Sequence, residues 1–64
     1  MKFKIQVQSI GDIVEHRPHW EEYDEEEVKS IAGANSWAHN IVAEFNKFLR
    51  PGELPRKVLS VKMM

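Results

Sequence analysis

Between His19 and Glu27 the chain reads HWEEYDEEE: six carboxylates, one Trp and one Tyr, with no aliphatic residue among them. Carboxylates at this density can serve acid–base catalysis, cation binding or electrostatic steering, and each use needs something more. A catalytic acid or base needs a low-dielectric pocket to move its pKa, and nothing around the run predicts one. A structural metal usually needs four ligands at defined spacing. His16, His19, Glu21 and Glu22, with a distant His39, form only a loose nitrogen–oxygen set. Steering needs exposure alone. Trp and Tyr are enriched among interface hot spots, and a charged rim draws in a partner of opposite sign. The stretch is therefore read as a protein-binding surface. Trp20 and Tyr23 would anchor, and Glu21, Glu22, Asp24 and Glu25 would steer a basic partner. The competing reading has Trp20 folding back to cap a small core, since Trp is generally well buried.

A second group is basic. Arg50, Arg56, Lys57 and Lys62 gather near the C-terminus, and Lys2 and Lys4 would join them if the first and last strands are neighbours. Such a face is a fair electrostatic footprint for phosphate, and nucleic-acid binding is the alternative function. The sequence pI of about 6.3 weighs against it, as does the acidic run. The sheet face also lacks an aromatic for base stacking, because Phe3 shares the core side with Ile5 and Val7.

Other chemistry is poorly supplied. There is no Cys nucleophile or thiolate ligand. Ser30 and Ser36 are better used as helix caps, and Gly11, Gly33 and Gly52 are too scattered for a phosphate loop. The expectation is a protein that is not an enzyme and uses no metal or cofactor.

The elements that must hold these groups are short. Lys2 to Gln8 alternates polar and apolar residues, as a half-buried strand does. Gly11-Asp12 offers a turn, and Ile13-Val14 a return strand that Pro18 should end. Residues 16–29 show neither period and read as an acidic loop, with one turn where Asp24 and Glu27 match a capping-box spacing. From Ile31 to Leu49 a helix is predicted, capped by Ser30 or Ser36. Its stripe is Ile31, Ala34, Ala38, Ile41, Phe45 and Phe48, flanked by Trp37, Val42 and Leu49. Pro51-Gly52 stops it. A last strand runs from Arg56 to Met63, with Leu59, Val61 and Met63 on one face and Val58, Ser60 and Lys62 on the other. The expected fold is a small two-layer α+β domain over residues 1–64, its helix packed on a two- or three-stranded sheet. A sheet this small leaves an edge open, through which a homodimer could form, and a homo-oligomeric structural piece with no separate ligand is a further alternative function.

The phrase closing the helix, Phe45-Asn46, Leu49-Arg50-Pro51-Gly52-Glu53 and Pro55-Arg56, resembles one in small uncharacterised phage and prophage proteins. In those, a helix ends in F-N-x-x-L-R-P-G-E-x-P-R and a short strand follows. The resemblance covers roughly the C-terminal half and implies a phage origin, but brings no chemistry. Phe48 departs from it, standing where a smaller residue is expected. Read physically, the phrase is a helix-to-strand corner in which Glu53 could pair with Arg50 or Arg56.

Charge is unevenly spread. Residues 1–27 hold three basic against eight acidic residues, net −5; residues 28–64 hold six against two, net +4. No apolar run approaches the roughly 20 residues of a membrane span. Combined with the resemblance, this gives the functional expectation: a small phage protein in the host cytoplasm that occupies a host protein, either a defence factor or a component of nucleic-acid metabolism.

Overall fold

The alternation of Lys2–Ser9 survives intact as strand β1, the central strand of the molecule. The computed structural model describes residues 1–11 and 16–64. Strand β2 spans His19–Asp24, helix α1 spans Ile31–Lys47 and strand β3 spans Arg56–Met63. Both outer strands pair with β1 antiparallel, in the order β2-β1-β3. They therefore run parallel to each other on either side of β1, and α1 crosses over one face of the sheet between them. This is the two-layer α+β domain the patterning predicts. The return strand expected at Ile13-Val14 lies outside the described residues.

Phe3, Ile5 and Val7 face the helix and form the largest fully buried side chains. Val28, Ala34, Ala38 and Val42 complete the core. The two alanines let the helix axis come close to the sheet. At their flank Phe3, Tyr23 and Trp37 form an aromatic trio, with ring centroids 4.8 to 5.9 Å apart. Such contacts add to the area that each ring removes from water.

Three sequence expectations are corrected. The acidic stretch is not a loop through its first six residues: His19–Asp24 is β2, in register with β1 from Lys2↔Asp24 to Val7↔His19. Its strand period was hidden because the inward position opposite Ile5 is filled by Glu21 rather than an apolar residue. The helix stripe is also rotated. Its buried line is Ala34, Ala38 and Val42, while Ile31, Ile41 and Phe48 stand exposed, Phe48 at 69%. The helix stops at Lys47 with Phe48 as C-cap, two residues before the expected Leu49.

The third correction concerns β3. Gln6 pairs with Ser60 but Val7 pairs with Val58, so a bulge leaves Leu59 without a partner and 43% exposed. Val58, not Leu59, joins Val61 and Met63 against the core. Because a strand alternates faces, one inserted residue exchanges the sides of everything beyond it. Lys57 is thereby opposite Gln8, and Arg56 opposite Ser9.

Candidate functional site

Ser30 starts the helix as its N-cap, accepting a hydrogen bond from the Gly33 N–H at 3.1 Å. The opposite end carries the phrase with the phage-protein resemblance, and here Asn46, Glu53 and Arg56 hold the turn together. Asn46 clamps the start of β3: its Oδ1 accepts from the Arg56 N–H at 2.7 Å, and its Nδ2 donates to the Arg56 carbonyl at 2.8 Å. Glu53 accepts from the Arg50 N–H at 2.8 Å, while its own N–H donates to the Arg50 carbonyl at 3.0 Å. Gly52, at φ 88°, takes the left-handed conformation that this turn requires. The Arg56 guanidinium lies 4.4 Å from the Phe45 ring centroid and 3.4 Å from the Glu21 carboxylate.

Glu21 is a hub on the helix side of the sheet. Besides Arg56, it accepts from the Tyr23 hydroxyl at 3.3 Å and lies 3.5 Å from His19 Nε2. Burial raises the Tyr23 pKa, and the Glu21 charge and hydrogen bond raise it further against an opposing pull from Arg56.

The strand period thus divides the predicted acidic site. Glu21 and Tyr23 point toward the helix, with Tyr23 in the aromatic trio. Trp20, Glu22 and Asp24 share the other face of the sheet, over which no described element packs, with Lys2, Lys4, Gln6 and Gln8. Glu25 follows β2, its N–H donating to the Met1 carbonyl at 3.2 Å. The predicted basic group is divided as well. Arg50 and Arg56 belong to the corner, whereas Lys57 and Lys62 lie on the open face as partners of Gln8 and Lys4.

The open face therefore holds an aromatic after all. Trp20, 38% exposed, lies with its ring centroid 4.9 Å from the Lys4 ammonium and 5.4 Å from that of Lys62. Lys4 and Lys62 are direct register partners on neighbouring strands. Like charges in that position oppose folding. Among the described residues, neither ammonium has a carboxylate within 4.0 Å. Four lysines thus line the β1–β3 side of this face, and Glu22 and Asp24 sit on the outer strand β2. Sequence reasoning missed this grouping because Trp20 lay in a segment read as a loop. The signal that could have found it is parity, since Trp20, Glu22 and Asp24 share one side of any strand drawn through them.

No group of three or more His, Asp or Glu side chains is placed to hold a metal ion among the described residues. His39, the distant candidate, sits on the helix with Nδ1 2.8 Å from the Asn35 carbonyl oxygen. No helix among the described residues is long and apolar enough to cross a membrane. Comparison with family models, with curated proteins and with solved structures found no match, so the geometry alone defines the candidate site.

Proposed function

We propose that this chain is a non-enzymatic binding protein of phage type, and that the open sheet face around Trp20 is its contact surface for an anionic macromolecule. The observation that carries this reading is the pair Lys4 and Lys62, held side by side on one indole with no carboxylate within 4.0 Å among the described residues, Glu22 standing across from Lys4 on β2 without an ion pair. Cations left together at a cost to folding are ready to be satisfied by a ligand. A stabilising arrangement would place opposite charges across β1 and β3, as the sheet does across β1 and β2 with Lys4 and Glu22. Lys2 and Lys57 extend the same field along β1 and β3.

The test is retention on immobilised heparin at low salt. A chain of net charge −1 has no overall attraction to a polyanion, so retention reports a local patch. Wild type is expected to bind, and the double variant Lys4→Gln/Lys62→Gln to flow through with an unchanged circular dichroism spectrum. Equal elution of the two proteins would sink the reading.

A second reading keeps the occupancy of a host protein, with Trp20 as anchor and Glu22 and Asp24 steering a basic partner. It is favoured by the placement of these three residues on one face. Under it, Glu22→Gln/Asp24→Asn abolishes capture of the partner and the lysine variants do not.

A further inference from the structure

The open face has a direction as well as a sign. Across the sheet its residues fall in rows: Lys57 beside Gln8, then Ser60, Gln6 and Trp20, then Lys62, Lys4 and Glu22, then Lys2 and Asp24. The lysines occupy β1 and β3 and the carboxylates occupy β2, so a polyanion is drawn along β1–β3 and kept off the outer edge of β2. Trp20 crosses this division. It is rooted on β2, yet its ring comes within 5.4 Å of a lysine on the far strand, β3. The indole is therefore met by ammonium groups from both β1 and β3, beside the basic track.

A ligand suited to this face carries phosphates spaced along a chain and flat rings between them. We propose that the open face binds single-stranded nucleic acid, with one base stacked on the Trp20 indole and flanking phosphates taken by Lys4 and Lys62. The inference rests on the open face being the contact surface and names what lies on it. On binding, the base takes over the π-face and the two flexible ammonium groups leave the ring for phosphate oxygens. That exchange removes the repulsion between Lys4 and Lys62 by placing negative charge between them. Gln6 and Ser60, in the row of Trp20, offer donors and acceptors to a base edge on either side of the ring. Duplex fits less well, because its bases are already stacked on one another and offer no free ring face to an aromatic side chain. An acidic protein segment would satisfy the lysines but supplies no flat ring at the indole.

The experiment is a fluorescence titration with a short oligothymidylate, compared with the matching duplex, inorganic polyphosphate and a poly-glutamate peptide. Trp20→Phe identifies the part of the signal that belongs to Trp20 rather than Trp37. The oligothymidylate is expected to bind most tightly and to quench Trp20. Two phosphates held by Lys4 and Lys62 give a salt slope of about −1.4 in log K against log salt. Trp20→Ala should weaken oligothymidylate binding roughly tenfold, as loss of one stacked base does, and Trp20→Phe should restore most of it. Neither change should move polyphosphate binding. If polyphosphate or poly-glutamate binds as well as the oligonucleotide with the same dependence on Lys4 and Lys62, the face is an anion site and the nucleic-acid inference is overturned. Tighter binding of duplex overturns it too. If no polyanion responds to Lys4→Gln/Lys62→Gln, the open-face reading fails with it. Melting curves of each variant separate loss of binding from loss of fold.

Discussion

The helix-to-strand corner and the open face use similar parts to opposite ends. At the corner the Arg56 guanidinium stacks on Phe45, 4.4 Å from its centroid, and a carboxylate, Glu21, closes the arrangement at 3.4 Å. On the open face two cations share one ring, and among the described residues no carboxylate lies within 4.0 Å of either. At the corner the side chains of Asn46 and Glu53 close on the backbone of Arg56 and Arg50. The open face has charge left over. Polar residues that satisfy one another hold a fold together; those left unsatisfied at a cost are the ones to examine for binding. The phrase that looks most like a motif is thus accounted for by the corner, and the less conspicuous alternation of Lys2 to Gln8 lines the candidate surface.

This contrast can be broken by substitutions whose effects on stability and binding diverge. The largest loss of stability is expected from Asn46→Ala. It leaves both the N–H and the carbonyl of Arg56 without their partner in a half-buried corner, at about 2 kcal/mol in urea denaturation. A domain of this size has only a few kcal/mol in reserve, so that shift is large. Retention on heparin by the folded fraction should be unchanged. If Asn46→Ala leaves the urea midpoint where it was, the corner is not the structural region described here.

Arg56→Ala comes next, at about 1 kcal/mol, because it removes the stack on Phe45 and a partly exposed ion pair worth little by itself. It too should leave polyanion binding alone. A loss of binding matching that of Lys62→Gln would move the site from the open face to the corner.

A smaller change should appear in alkali. The chain has a single tyrosine, so its ultraviolet difference spectrum titrates Tyr23 alone. Burial foremost, then the Glu21 carboxylate, hold the phenol protonated above its ordinary range. The folded form therefore retains a proton that the unfolded chain releases at about pH 10. The Tyr23 contribution is intact below that pH and is lost as pH rises through the folded-state pKa. Subtracting the alkaline melting curve of Tyr23→Phe isolates the Tyr23 contribution. A tyrosine titrating at its ordinary pKa would contradict the packing of Tyr23 beside Phe3, Trp37 and Glu21.

The smallest effect has the reverse sign. Lys62→Glu replaces a like-charged neighbour of Lys4 with an opposite one, and the melting temperature should rise by the equivalent of a few tenths of a kcal/mol. Retention on heparin should be lost in the same variant. Greater stability with lost binding is the mark of a residue kept for its ligand rather than for the fold. A fall in stability would mean that Lys62 supports the sheet through its contact with Trp20.

Much of the frame was legible in the sequence by itself. The 2-period of Lys2 to Gln8 placed Phe3, Ile5 and Val7 in the core, since successive side chains of a strand take opposite faces whatever lies around them. Ser30 as cap and Pro51-Gly52 as stop bounded the helix within two residues, because these groups act on the local backbone alone. The helix stripe was legible only in part. Periodicity gives the spacing of an apolar face and not the rotation at which a neighbouring sheet covers it, so Ile41 and Phe48 were placed inside and stand outside.

What tertiary structure alone decided is which side Glu21, Arg56 and Lys57 take. Glu21 is inward by its register opposite Ile5 and is met there by Arg56, 35 positions away, a partner that HWEEYD read alone does not show. Arg56 is there because of the bulge at Leu59. Under unbroken alternation Arg56 would share the side of Val58, Ser60 and Lys62, and Lys57 would face the helix. The single inserted residue exchanges them, sending Arg56 to the corner and Lys57 to the open face beside Lys4, Lys62 and Trp20. A local period carries a strand only as far as its pairing register holds, and the register belongs to both strands at once.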